Sequence, residues 1–193
     1  RMEMLEEQVE IVHRLWDREQ PQTFAGKHYR LDGVRALPKP AQEPHPPLII
    51  GGRGGPRSAR VAARWGDEYN VNGRTPEACR TVRAGLDRAC QALDRDPASL
   101  RYSLMTQVVA GADRRELEAR AKRVMTVFGE PGDPSAYLAN AAETGVVGTV
   151  NQVLDRLAAY EEAGVERIML QHLDHADLEM VALIGAEIIP QVA

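Results

Sequence analysis

From Leu48 onward the sequence alternates short apolar runs with stretches of helical period, and this alternation restricts the fold more than any other feature. Leu48-Ile49-Ile50 reads as a strand buried on both faces. It feeds a glycine-rich turn, after which Pro56 suits a first helical position and Val61, Ala62 and Trp65 make one apolar stripe. Tyr69-Asn70-Val71 is a second strand. Thr75 then caps a helix that starts at Pro76 and carries Cys79, Val82, Leu86, Ala89, Cys90 and Leu93 on its period. Tyr102 to Val109, apolar and β-branched, is a third strand. Asp113 with Glu116, Asp133-Pro134, and Thr149 with Gln152 each open a further helix, the last one stopped by Gly164. Arg167-Ile168-Met169-Leu170-Gln171 is the fourth strand and Leu178 to Ile189 the last helix. Helices between successive strands imply an α/β fold, with strands paired in parallel and helices outside the sheet. Two architectures satisfy this: an open doubly wound sheet, or part of a (β/α) barrel. A complete eight-stranded barrel takes about 250 residues, so four parallel strands with flanking helices amount to half of one.

Ahead of this core, Leu5, Val9, Val12 and Trp16 form the apolar face of a surface helix whose other face holds Glu3, Glu6, Glu7, Glu10 and Arg14. Residues 17–47 read as an extended connector inside one domain spanning 1–193. Thr23-Phe24 and His28-Tyr29-Arg30-Leu31 are its strand-like pieces, and five prolines between Pro38 and Pro47 exclude a helix there. The chain starts at Arg1, within the helix and without an initiating methionine, which predicts a piece of something longer. Its 24 basic and 28 acidic residues give a net charge of −4 with no long block of either sign. That argues against a nucleic-acid surface, which needs concentrated positive charge. No apolar run reaches the roughly 20 residues of a membrane span, and no signal-peptide core is evident. The expectation is a cytoplasmic protein without membrane or nucleic-acid partners. Cys79 and Cys90 fall eleven residues apart on one expected helix, roughly 16 Å along its axis, which excludes a disulfide between them.

The strongest local feature is Gly51-Gly52-Arg53-Gly54-Gly55-Pro56-Arg57-Ser58, between a strand end and a helix start. Glycines allow close backbone approach to an anion, and the first N–H groups of the helix and its positive dipole end point at it. Arg53, Arg57 and the Ser58 hydroxyl add donors. A phosphate site is the functional reading; a tight turn with solvated arginines is the plainer one. The spacing is neither a Walker loop nor the dinucleotide fingerprint. Gln171-His172-Leu173-Asp174-His175-Ala176-Asp177 follows the last strand. Gln171 and His172 are candidates to contact a cofactor ring or substrate, against a plain capped helix start with Asp174 or Asp177 as the cap. Three ligands among His172, Asp174 and His175 converge poorly on a metal, so none is expected. Asn70 and Asn72 are further candidates for substrate or ring contact, against a simple turn.

Several segments together resemble one family. Phe24-Ala25-Gly26-Lys27-His28-Tyr29, Leu37-Pro38-Lys39-Pro40 with Gln42, and Pro46-Pro47-Leu48-Ile49-Ile50-Gly51-Gly52 are similar to stretches of the luciferase-like monooxygenase superfamily. So are Ala62-Ala63-Arg64-Trp65-Gly66-Asp67-Glu68-Tyr69-Asn70 and Gly148-Thr149 with Gln152-Val153 and Ala163-Gly164-Val165. Within it they most resemble the oxidoreductases that use the deazaflavin coenzyme F420. The resemblance implies the C-terminal half of a TIM-type (β/α)8 barrel. It also implies that a cofactor phosphate falls on Gly51, Gly52, Arg53 and Gly54, with Gly55, Arg57 and Ser58 adjoining. The activity implied is hydride transfer between reduced F420 and an organic substrate. An FMN-dependent monooxygenase is the alternative, because both cofactors carry a phosphate to that place. No catalytic acid or base is assigned, since the strands that furnish it in the family are not among these four. Two open sheet edges predict a homodimer or pairing with a missing N-terminal half; a non-catalytic truncated half-barrel is the reading from a different class.

Overall fold

The computed structural model describes residues 1–17 and 19–192; Arg18, within the expected connector, and Ala193 lie outside it. The chain divides into two units, Arg1–Tyr69 with Gly85–Arg101, and Asn70–Ala84 with Tyr102–Ala193.

In the first unit the amphipathic period of the N-terminal segment produces helix α1 (Met2–Asp17), with Val9 buried. Strands β1 (Gln22–Ala25) and β2 (Arg30–Val34) then form an antiparallel hairpin in which Phe24 pairs with Leu31 and Ala25 with Arg30. The strand-like pieces of residues 17–47 thus pair with each other. Glu7 of α1 fixes the hairpin turn: its carboxylate accepts the N–H groups of Lys27, His28 and Tyr29 at 2.8, 2.9 and 3.0 Å. Desolvation works to raise the Glu7 pKa, but the three N–H donors outweigh it and hold the carboxyl below its usual range. Gly26 leaves room for this contact, because a Cβ there would stand 2.3 Å from the Glu7 carboxylate.

The proline-rich stretch is tied down by aromatic contacts. His13 lies 4.7 Å from the His45 ring and 5.2 Å from Trp65, while Trp16 stacks on His45 at 5.7 Å. Strand β3 (Ile49–Gly51) buries Ile50 and leads into helix α2 (Pro56–Trp65), whose Ala59, Val61, Ala62 and Ala63 are buried. The Leu48 carbonyl accepts from Asp67 and Glu68 at the start of β4 (Glu68–Asn72). Arg95 closes the far end of α2, donating to the carbonyls of Ala62, Ala63 and Gly66.

The second unit is built on β5 (Arg101–Gly111), buried along most of its length. Its first half pairs in parallel with β7 (Arg167–Gln171), from Ser103 opposite Arg167 to Gln107 opposite Gln171. Its second half pairs in parallel with β6 (Val146–Thr149), from Val108 opposite Val146 to Gly111 opposite Thr149. Strand β6 is an addition to the four strands read from the sequence. Helix α3 (Pro76–Gln91) starts as expected, with the Ala78 N–H on the Thr75 hydroxyl, and both of its cysteines are buried and outside any disulfide among the described residues. Burial pushes the Cys79 thiol up, which keeps it a thiol rather than a thiolate.

Around this sheet lie α4 (Arg114–Phe128), α5 (Pro134–Thr144) and α6 (Val150–Glu162). Asp113 accepts from the Glu116 N–H and Asp133 from the Ala136 N–H, while the Gln152 side chain accepts from the Thr149 N–H. Gly129 (φ 68°) ends α4 in the left-handed conformation that glycine adopts without strain. The single last helix expected from Leu178 to Ile189 is instead α7 (Leu178–Leu183), a π-helical turn at Ile184–Ile188, and α8 (Ile189–Val192). The architecture is the α/β fold expected, a parallel sheet flanked by helices.

Candidate functional site

The glycine-rich loop stands where the sequence placed it, between the end of β3 and the first turn of α2. Gly55 occupies the N-cap position in extended conformation and no side chain caps the helix. Pro56 has no N–H, and the N–H groups of Arg57 and Ser58 belong to the first turn, where an α-helix supplies no internal acceptor. Arg53 and Arg57 are exposed, and among the described residues neither has a hydrogen-bond or ion-pair partner. A Cβ on Gly51 or Gly55 would meet open space. The outer side of the loop is therefore a set of unused donors with a helix dipole behind it.

Its inner side is held by a residue that the sequence marks only as part of a strand. Tyr69 of β4 is fully buried, and its hydroxyl accepts from the Gly54 N–H at 2.9 Å and pairs with the Ser58 Oγ at 2.8 Å. Ser58 Oγ also donates to the Gly55 carbonyl at 2.9 Å. Gly54 adopts φ 79°, and a Cβ on Gly52 would stand 2.3 Å from the Tyr69 oxygen. Two of the glycines thus have steric causes on the inner side, while Gly51 and Gly55 leave the outer side bare. The strand alternation around Tyr69, with a serine on the first turn of α2, was the available signal for this anchor.

In the second unit Asn72 and Gln171 line one open cavity of about 410 Å³, together with Thr106, Gln107, Asn140 and Glu143. Asn70 does not line it: its amide donates to Ser103 Oγ at 2.8 Å, with Met169 Sδ at 4.0 Å. His172 does not line it either, and its Nε2 is buried without a hydrogen-bond partner among the described residues. Two acidic residues of that polar segment are engaged by helix α4. Asp177 caps α7 through the Met180 N–H at 3.0 Å and accepts from Arg120 Nε at 2.8 Å. Arg120, itself buried, also donates to the Ala110 carbonyl at 2.6 Å and pairs with Glu116 at 2.7 Å. Asp174 pairs with Arg123 at 2.7 Å. Burial acts to raise the Asp177 pKa, but the Met180 N–H and the Arg120 guanidinium outweigh it and hold the carboxyl below its usual value. Among the described residues no helix is long and apolar enough to cross a membrane.

Comparison with known proteins places the chain in a family. The family model described as luciferase-like monooxygenase matches residues 1–167. An FMNH2-dependent dimethylsulfone monooxygenase of Pseudomonas putida is 24% identical over 97% of this chain and 57% of its own length. An F420-dependent hydroxymycolic acid dehydrogenase of Mycobacterium tuberculosis is 29% identical over 62% of this chain and 32% of its own length. Among solved structures, an F420-dependent secondary alcohol dehydrogenase with an F420-acetone adduct superposes with TM-score 0.77 at 19% identity, covering 100% of this chain and 62% of that one. A coenzyme F420-dependent tetrahydromethanopterin reductase from Methanopyrus kandleri superposes with TM-score 0.79 at 15% identity, covering 100% and 64%. These superpositions establish the fold as part of a luciferase-like TIM-type barrel. The chain spans about half the length of the first curated relative.

Proposed function

We propose that this chain, which belongs to the luciferase-like monooxygenase family, is part of an oxidoreductase that exchanges a hydride between coenzyme F420 and an organic substrate. The observation that carries the reading is the loop Gly51–Ser58. It presents an uncapped helix N-terminus, free N–H groups and two unpaired arginines around open space, and a phosphate fits such a donor set. Arg53 and Arg57 would supply charge-assisted hydrogen bonds, the N–H groups of Arg57 and Ser58 would point at the anion, and Tyr69 would keep the loop in shape. The coenzyme, when bound, supplies the hydride chemistry; these residues bind and orient it. Asn72 and Gln171 are the proposed contacts to substrate.

A second reading is supported by the relative aligned over most of the chain, which is FMNH2-dependent. FMN also presents a phosphate, so the loop serves either cofactor. Titration with F420 and with FMN, followed by absorbance and fluorescence, separates the two. Saturable F420 binding that R53A and R57A weaken supports the proposal, and saturable FMN binding alone replaces it with a flavin-dependent monooxygenase. Binding of neither by the assembled protein leaves a non-catalytic half-barrel.

We further propose a cytoplasmic protein whose working unit is larger than one copy of this chain, a homodimer or a pairing with an N-terminal half. The apolar side chains of Leu178, Val181, Ile189 and Val192 support this, since the last helical stretch leaves them exposed. Light scattering that shows a lone 21.3 kDa species with full activity would overturn it.

A further inference from the structure

We infer that the cavity of the second unit takes a small neutral or cationic molecule bearing several hydroxyl or amide groups, and that it turns organic anions away; this names a substrate class and rests on the oxidoreductase reading. At about 410 Å³ the cavity is of the size that holds small organic ligands. Asn72, Asn140 and Gln171 line it, and among the described residues none of their side chains has a hydrogen-bond partner. Each carboxamide offers two donors and an acceptor, so the free capacity of the wall is mixed and uncharged. The polar groups beside them are already engaged: Thr106 Oγ1 donates to the Thr144 carbonyl, and the Gln107 amide donates to the Tyr137 hydroxyl.

The charges on this wall all have one sign. Among the described residues Glu143 is the single charged side chain lining the cavity, and neither Lys, Arg nor His lines it. Arg156 donates to the carbonyls of Ala142, Glu143 and Gly145 at 2.9, 2.6 and 3.2 Å and does not itself line the cavity. An anion entering the cavity would lose water and meet a carboxylate. A polyol or an amino alcohol would exchange its water for carboxamide hydrogen bonds, and the ammonium of the latter would also meet Glu143.

The test uses three probes on one three-carbon skeleton: glycerol, 2-amino-1,3-propanediol and glycerate. Each is titrated into the ¹⁵N-labelled full chain without coenzyme, while the side-chain amide signals of Asn72, Asn140 and Gln171 are followed. Saturable shifts with the first two and none with glycerate are expected. E143Q should weaken the amine about tenfold and leave glycerol unchanged, and N140A should weaken both. Equal or tighter binding of glycerate, or no saturable shift with any probe, overturns the inference. Coenzyme binding is read separately by absorbance. Probe binding without coenzyme binding sinks the oxidoreductase reading and not this one, and coenzyme binding without probe binding does the reverse.

Discussion

Two polar segments follow strands in this molecule, and they use their side chains in opposite ways. The Gly51–Ser58 loop in the first unit is held from beneath by one tyrosine hydroxyl and leaves its arginines and helix N–H groups unspent. The Gln171–Asp177 segment in the second unit has a similar density of polar residues, yet Asp174 and Asp177 are consumed by Arg123 and Arg120. Polarity alone therefore does not mark a binding site. What distinguishes the two is whether the charged groups already have partners, because a donor satisfied inside the protein has little left for a ligand.

The comparison breaks most sharply at Arg120. Arg120→Leu leaves Asp177 buried without its guanidinium and should cost about 3–5 kcal/mol in denaturant unfolding. A loss below about 1 kcal/mol would mean that the segment is not held this way.

On the other side, Tyr69→Phe removes the acceptor of the Gly54 N–H and the partner of Ser58. It should cost about 1–3 kcal/mol, together with a loss of coenzyme affinity. Unchanged affinity in the variant would show that the loop keeps its shape unaided.

Acid titration sharpens the contrast further. The folded-state pKa of Asp177 is depressed below its unfolded value, so its contribution to stability is present above about pH 3.9 and is lost as pH falls through the folded value. Unfolding free energies measured down to pH 2 should therefore decline more steeply in the parent than in Asp177→Asn.

The smallest effect on stability is expected for R53A and R57A, within about 0.5 kcal/mol. Each should nevertheless weaken phosphate-bearing coenzyme about tenfold. A stability loss comparable to that of Tyr69→Phe would reassign these arginines to structure.

The helix starts were legible because a cap is a local device: Asp113, Asp133 and Thr149 with Gln152 each satisfy an N–H within three residues. Strand β6 was not legible. Val146–Thr149 is only four residues long and lies directly before a capped helix, and its strand character comes from pairing with Val108–Gly111, far back in the chain. Arg120 carried no sequence signal of burial, since a charged residue on a helix is ordinarily solvated. The motif Phe24–Tyr29 belongs to a resemblance with functional content, yet its glycine has an architectural cause, the approach of the Glu7 carboxylate.

By itself the sequence determined the alternation of strand and helix, the parallel sheet that follows from it, and the position of a glycine-rich turn at a helix start. Periodicity and caps act over a few residues, so they can be read one segment at a time. Tertiary structure alone decided which polar groups remain free. Tyr69, Arg120 and Arg156 spend their donors and acceptors on partners distant in sequence, whereas Asn72, Asn140 and Gln171 are left facing a cavity without them. The availability of a hydrogen-bonding group is a property of its neighbours, and those neighbours are assembled only by folding.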